Sequence, residues 1–387
     1  MRIGLFGDTY YPEKNGVAVS MHQLRKGLEE AGHEVFIFTI ETKGMVPDDH
    51  VIRYKTADAG LVKGRRVAIP HYKKWLKTVE DLHLDVIHTQ SEFPLGKLGR
   101  KAARKFNIPF VHTYHTIYEH SAMYLNFPLC STEFLQKIIC DFTTKWCNSA
   151  EFVIVPTAKT YDLLLKDGVK TELEIIPTGL DMEKYHSVDP EKVAQLKQRY
   201  GLTEKDKVLL YLGRVDPEKS IDVLIDYMST VAETDPEVKL VIVGGGLSEK
   251  GLKEKVKELH LENKVIFTGA VDWDEVQNYF ALGDIFVSAS FSETQGLTYY
   301  EALAVGLPVL GFRDRCLDVM IADGENGWQF DEREDFVEKM ERMLSNIDRF
   351  KENAQKTAEH FTTRQFAENV LEVYRHVMDK HGISMKQ

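Results

Sequence analysis

Ile285-Phe-Val-Ser-Ala-Ser-Phe-Ser-Glu293-Thr-Gln-Gly296-Leu-Thr-Tyr-Tyr-Glu301-Ala-Leu-Ala-Val-Gly-Leu-Pro-Val-Leu310 reads as strand, loop, helix and strand. The run Ile285–Ser288 is wholly apolar until its last residue, a loop holds Glu293, a helix opens near Gly296, and a second strand covers Pro308–Gly311. Strands this apolar are buried on both faces, which requires parallel pairing and helical crossovers. The same alternation extends outward. In the second half it places strands at Lys207–Leu212, Lys239–Val243 and Lys264–Thr268, with helices at Ser220–Ala232, Glu249–His260 and Glu275–Leu282. In the first half it places strands at Arg2–Gly7, Val35–Thr39, Asp85–Thr89, Pro109–His112 and Phe152–Val155, with helices such as Ser20–Ala31 and Lys97–Phe106. Two such series predict an α/β fold of two doubly wound, Rossmann-like domains facing across a cleft. The expected domains are residues 1–178 and 179–362, joined near Ile176-Pro-Thr-Gly-Leu-Asp181. Residues 363–387, opening with the amphipathic stretch Thr363–Asp379, are expected to pack back towards the first domain.

Composition narrows the class. The 387 residues are 43% hydrophobic and 28% charged, which excludes a disordered, collagenous or disulfide-framed chain. No apolar run approaches the ~20 residues that a spanning helix needs. Four cysteines without a CxxC pair fit a reduced cytoplasm. The net charge of −11 is unevenly spread: residues 1–178 carry 23 basic and 21 acidic side chains, residues 179–387 carry 26 and 39. Residues 51–110 hold 13 basic against 5 acidic. A local excess in an acidic protein points to one face meeting an anion, while the overall acidity argues against a nucleic-acid binder.

Ligands of such sheets bind beyond the carboxyl ends of the strands, so the loops that follow strands are the candidate sites. The first, Asp8-Thr-Tyr-Tyr-Pro-Glu-Lys-Asn-Gly16, lacks the G-x-G-x-x-G of a dinucleotide site, which counts against an oxidoreductase. Gly16 suits either close approach to a phosphate or simple helix entry. Gly213-Arg214-Val-Asp-Pro-Glu-Lys219 offers two cations beside a helix start, either a diphosphate clamp or two surface charges. In the 285–310 stretch, the amides near Gly296 and Leu297 are aimed at an anion, with Glu293 and Glu301 flanking them. Asp272 and Asp274 precede a helix and read as caps rather than metal ligands. His115, in His112-Thr-Tyr-His115, follows a strand, and four histidines fall within His88–His120. No zinc set is completed at usable spacing.

The segment Lys63-Gly-Arg65-Arg66-Val-Ala-Ile-Pro-His-Tyr-Lys73-Lys74-Trp75-Leu-Lys77 has six cations and no acid. It is expected to lie on an anionic bilayer with Trp75 at the interface, in preference to a solvated helix face with Trp75 in the core.

Taken together, these motifs resemble a known family. Ser292-Glu293-Thr-Gln295-Gly296-Leu297-Thr-Tyr-Tyr-Glu301 is similar to the E-x7-E motif of the family 4 retaining glycosyltransferases, which have the GT-B fold. Gly213-Arg214…Glu218-Lys219 resembles their diphosphate motif, Asn15-Gly16-Val17 their glycine loop, and Ile176–Asp181 their interdomain hinge. Within the family the Glu-Thr-Gln-Gly-Leu-Thr-Tyr stretch is most like the bacterial diacylglycerol glucosyltransferases, which dock on anionic lipid. The chain departs from the pattern at Gln295, where many members have phenylalanine, and at Tyr300. The resemblance implies transfer of glucose from UDP-glucose to diacylglycerol, with retention and no essential metal or other cofactor. It implies that Glu293 and His115 serve the transferred sugar, and that Glu301 holds the ribose. Arg214, Lys219, Gly16, Gln295, Gly296 and Leu297 would surround the rest of the donor. The protein would sit peripherally on the cytoplasmic face of the membrane. The rival readings are another acceptor for the same chemistry, and a peripheral membrane protein without turnover.

Overall fold

The computed structural model describes residues 1–13, 15–58, 66–117 and 132–383, with side chains described throughout those ranges except at 132, 133 and 135. The chain divides into two compact units: Met1–Gly179 with Thr363–Gln387, and Leu180–Thr362.

The first unit has strands β1 (Arg2–Phe6), β2 (Glu34–Ile40), β3 (Val51–Tyr54), β4 (Thr56–Asp58), β5 (Arg66–Ala68), β6 (Val86–Thr89), β7 (Phe110–Thr113), β8 (Phe152–Val155) and β9 (Glu172–Ile175). Between them run helices α1 (Gly16–Glu30), α2 (Tyr72–Asp81), α3 (Pro94–Phe106), α4 (Thr132–Cys147) and α5 (Ala158–Lys166). Seven strands pair in the order β3-β2-β1-β6-β7-β8-β9, all parallel, while β4 and β5 form a separate antiparallel pair. Burial of all four residues in each of β6, β7 and β8 explains the apolar runs, because helices cover both faces.

The second unit repeats the plan with β10 (Lys207–Leu212), β11 (Val238–Val243), β12 (Val265–Gly269), β13 (Ile285–Ser288), β14 (Val309–Phe312) and β15 (Gly327–Phe330), ordered β12-β11-β10-β13-β14-β15. Its helices are α6 (Met182–His186), α7 (Pro190–Arg199), α8 (Ile221–Thr234), α9 (Glu249–Glu258), α10 (Val276–Phe280), α11 (Leu297–Ala304), α12 (Arg333–Leu344) and α13 (Ile347–Ala358). Where the chain enters and leaves this unit, Leu180 pairs with Thr362 and donates its N–H to the Phe361 carbonyl at 2.8 Å.

The final helix, α14 (Thr363–Lys380), belongs to the first unit. Phe366, Val370, Leu371, Tyr374, Val377 and Met378 form its buried stripe. It lies against α1, where Thr363 donates to the buried Gln23 amide oxygen at 2.7 Å. Among the described residues no helix is long and apolar enough to cross a membrane.

Gly27 sets the closeness of α1 and α14. A Cβ there would stand 2.6 Å from Ala367 Cβ and 2.7 Å from the Thr363 carbonyl oxygen, which is backbone and cannot swing away. Gly27→Leu is therefore expected to cost about 1–3 kcal/mol in urea unfolding, by overpacking. Gly251, inside α9, has nothing within 4 Å of the same added atom. Gly251→Ala should stabilise by about 0.5–1 kcal/mol in the same measurement.

Candidate active site

Both sheets reverse their strand order once, between β1 and β6 and between β10 and β13, and the polar groups gather at the carboxyl ends of those strands. In the second unit, the loop leaving β10 carries Arg214 and Lys219, and the loop leaving β13 carries Glu293. Lys219 Nζ lies 2.6 Å from Glu293 Oε1, both side chains being largely enclosed. Ser292 Oγ ties the two loops again by donating to the Glu218 carbonyl at 3.1 Å. Arg214 is more open, with 63% of its side chain exposed. It forks onto Asp216 at 2.5 Å and Glu218 at 2.6 Å. The structure thus brings Lys219 and Glu293 into contact, and holds Arg214 by carboxylates of its own loop.

Gly296 adopts φ 73°, the left-handed region, and turns the loop into α11, whose N-terminus no side chain caps. A Cβ at Gly296 would come within 2.8 Å of the Tyr299 ring, so glycine is required twice over. Gln295 and Gly296 are buried and Leu297 is half-buried. Glu301, one turn into α11, is buried and accepts a hydrogen bond from Tyr185 Oη at 2.7 Å. Burial pushes its carboxyl up, against the opposing effects of Tyr185 and Lys184. The two glutamates therefore differ in kind, one beside an ammonium and one beside a neutral phenol. Tyr211 and Tyr299 stand near Glu293, and burial, reinforced by that carboxylate, drives both phenols up.

In the first unit, Gly16 is exposed at the first position of α1. Asn15 caps the helix by accepting from the Ala18 N–H at 3.0 Å, and donates to Thr9 Oγ1 at 2.7 Å. Asp8, at the end of β1, accepts from Ser91 Oγ at 2.5 Å and from the Leu95 N–H at 3.2 Å, across the mouth of α3. Burial raises its carboxyl to about 6. His115 Nε2 lies 2.7 Å from Gln90 Oε1, which can only accept, so Nε2 carries the proton and Nδ1 the lone pair. Burial, with His112 adding to it, lowers His115 to about 4, so the ring is neutral near pH 7. His112 faces Glu92 at 3.3 Å, and His88 is bonded to Tyr374 and Thr113 at 2.7 Å each. These two histidines hold the interior together. His120 lies outside the described residues.

The basic segment requires correction. It is not one amphipathic helix: Arg66 lies exposed in β5, and only from Tyr72 does α2 begin. Trp75 does not face outward. It is buried with Val79, one turn on, and its ring meets Tyr54 tilted at 4.4 Å and Tyr72 edge-to-face at 5.4 Å between centroids. An indole on the inner stripe of a short helix gains more from the core than from the surface. Lys77 is paired with Asp81 at 2.7 Å and Glu80 at 3.6 Å. Lys73 and Lys74 are exposed, while Lys63 and Arg65 lie outside the described residues. Asp272 caps a short 3-10 turn by accepting from the Asp274 N–H at 3.2 Å. Sequence reading missed Tyr185, Asp8 and Gln90, whose roles depend on partners 80 or more positions away for Asp8 and Tyr185, and 25 for Gln90.

Residues 14–184 match the family described as Glycosyltransferase Family 4, and residues 192–358 match Glycosyl transferases group 1. The chain is 38% identical, over 84% of its length and 74% of the relative's, to an alpha-monoglucosyldiacylglycerol synthase of Streptococcus pneumoniae. It is 32% identical to a protein of the same name from Acholeplasma laidlawii, over 99% of this chain and 98% of that one. Among solved structures, Anabaena HepE in complex with UDP and glucose superposes with a TM-score of 0.78 at 19% identity, covering 97% of this chain and 100% of that one. With both sheets, their switch points and these matches in agreement, the chain belongs to the family 4 glycosyltransferases of the GT-B fold, and is an enzyme related to the alpha-monoglucosyldiacylglycerol synthases.

Proposed function

We propose that this enzyme transfers glucose from UDP-glucose to the free hydroxyl of 1,2-diacylglycerol, with retention, while resting peripherally on the cytoplasmic face of an anionic membrane. The observation that carries this reading is the Lys219–Glu293 pair at the β10/β13 switch point, in a chain matched end to end by a diacylglycerol glycosyltransferase. The transferred sugar's C1–O bond breaks and its electron pair passes to the departing UDP. Lys219, Arg214 and the amides at the mouth of α11 neutralise that charge, so no metal is required of the site. Glu293 accepts hydrogen bonds from the sugar hydroxyls and faces the positive charge that develops at C1. Glu301 accepts from the ribose hydroxyls. The acceptor hydroxyl forms the new C1–O bond on the face the diphosphate leaves, and its proton goes to a diphosphate oxygen. Gly16 admits the diphosphate close to backbone, and His115 contacts the sugar through its unprotonated Nδ1. Lys73 and Lys74 lie towards lipid.

The deciding experiment offers UDP-glucose, UDP-galactose and GDP-mannose, each labelled, to vesicles containing diacylglycerol in the presence of chelator. Labelled glycolipid from UDP-glucose alone is expected. Hydrolysis of one donor without lipid product would reject the lipid acceptor, and dependence on added divalent cation would reject the charge arrangement above.

Glu293→Gln should lower kcat by about 10²–10³, as loss of a group acting on transition-state charge does. Glu301→Gln should act mainly on KM for the donor, by about tenfold, the scale of one hydrogen bond to a charged group. Equal losses in kcat for both would contradict the separate roles.

Because His115 is held near 4 rather than 6.5, kcat/KM should show no histidine inflection between about pH 5.5 and 8. Gln90→Glu sets a carboxylate beside Nε2, which favours the imidazolium, and should bring an acid limb into that range. A wild-type limb near 6.5 that the variant leaves in place would contradict it.

A further inference from the structure

We infer that α3, rather than the 63–77 segment alone, forms the main anionic-lipid contact of the first unit; this deepens the membrane reading above and rests on it. In α3 the cations Lys97, Arg100, Lys101, Arg104 and Lys105 recur at helical spacing and the helix contains no acid. They run along one face, and Leu95, Leu98, Ala102 and Ala103 fill the buried one. Among the described residues none of the five forms an ion pair, and Lys101, Arg104 and Lys105 are exposed.

The rest of this acidic chain shows how unusual that is. Five other helices place an acid one turn from a cation and close the pair: Arg25 with Glu29, Lys253 with Glu249, Arg342 with Glu338, Lys356 with Glu352, Arg364 with Glu368. A row of like charges in a helix repels itself, a cost that an external polyanion removes.

Two neighbours extend the surface. Lys101 Nζ lies 4.4 Å above the Tyr72 ring, which joins α3 to α2 and its exposed Lys73 and Lys74. Arg100 lies 4.2 Å above the Trp146 ring of α4. One turn back on α4, Phe142 is 41% exposed, and one further turn back Ile138 is 48% exposed. Free cations beside half-exposed apolar side chains suit a bilayer of anionic lipid, where charge meets headgroups and the apolar groups enter the acyl boundary. A nucleic acid would use the first and leave the second in water.

The test is sedimentation of the full chain with phosphatidylcholine vesicles, with and without phosphatidylglycerol, at low and high salt. Thermal unfolding serves as the control for folding. Salt-sensitive binding to the anionic vesicles is expected. Lys101→Gln/Arg104→Gln/Lys105→Gln should weaken it by roughly fivefold per cation, about 1 kcal/mol apiece, hence on the order of 100-fold. Ile138→Ser/Phe142→Ser should weaken it in a manner salt does not alter. Wild-type binding by the triple variant, or wild-type retention on duplex DNA equal to that on anionic vesicles, would overturn the inference. Sugar transfer to diacylglycerol in non-ionic micelles separates the two readings. Absence of transfer by the wild type, with vesicle binding still lost in the triple variant, removes the acceptor and keeps the surface. Transfer with unaltered vesicle binding does the reverse.

Discussion

Two adjacent parallel strands whose outgoing helices cover opposite faces of the sheet leave a gap at their carboxyl ends. The polar groups of each unit's candidate site gather around such a gap. In the second unit the division is visible in the packing. Leu210 and Leu212 of β10 lie with Tyr299 and Leu303 of α11 on one side, while Leu209 and Tyr211 lie with Ile221 and Leu224 of α8 on the other. The alternation of β10 side chains thus decides which helix each face receives. The loops leaving β10 and β13 therefore diverge, and they meet again where Ser292 bonds the Glu218 carbonyl and where Lys219 reaches Glu293. Lys219 and Glu293 are 74 positions apart in sequence and 2.6 Å apart in space.

The same constraint explains why two glutamates in one short stretch have different characters. Glu293 precedes the helix, in a loop that reaches across the gap to an ammonium. Glu301 is carried one turn into α11, where the surroundings are Tyr185 and the core, and burial favours its protonated form until a hydroxyl donor compensates. Tyr185 Oη already supplies one such donor, so the carboxylate has a further oxygen to offer a ligand. The first unit repeats the logic with the roles changed. Asp8 at the end of β1 is absorbed by the mouth of α3, and it is the β6 and β7 ends, through Gln90 and His115, that keep a polar atom uncommitted.

How much of this was readable follows from the same physics. Central strands announce themselves because burial on both faces leaves no place for a charge; Phe152–Val155, Lys207–Leu212 and Ile285–Ser288 were readable to the residue. The edges were not. β9 reads Glu-Leu-Glu-Ile, since an edge strand can leave one side in water; β3 and β15 are edge strands as well, and β4 and β5, three residues each, are too short for a period to register. The motifs around Glu293 and Lys219 were legible as motifs, but their contact was not, because nothing in a local pattern reports a partner on another strand. Trp75 misled for a related reason. A tryptophan among lysines has the composition of an interfacial helix, and only the stripe it shares with Val79, set against Tyr54, shows that it turns inward. The cations of α3 were counted in the excess over residues 51–110, yet they gave no cluster dense enough to stand out from an ordinary solvated helix. Their distinguishing property is the absence of ion pairs with the described residues, which only coordinates reveal.

The charge division along the chain bears on how such a surface would work. Residues 1–178 carry 23 basic and 21 acidic groups, and residues 179–387 carry 26 and 39. The cations that would meet an anionic bilayer therefore lie in the less acidic part of the chain. The screening length is about 8–10 Å at physiological salt, so only groups within a helix diameter of the lipid contribute to holding the protein there. That favours a short, dense row over a diffuse excess. A single amphipathic helix with an indole anchor would bind more firmly but would spend its aromatic ring in the lipid. Here Trp75 and Trp146 remain buried in the first unit, so the helices that face outward are braced by the core. A cation row without ion pairs among the described residues would make such binding adjustable by lipid charge and salt without altering the fold.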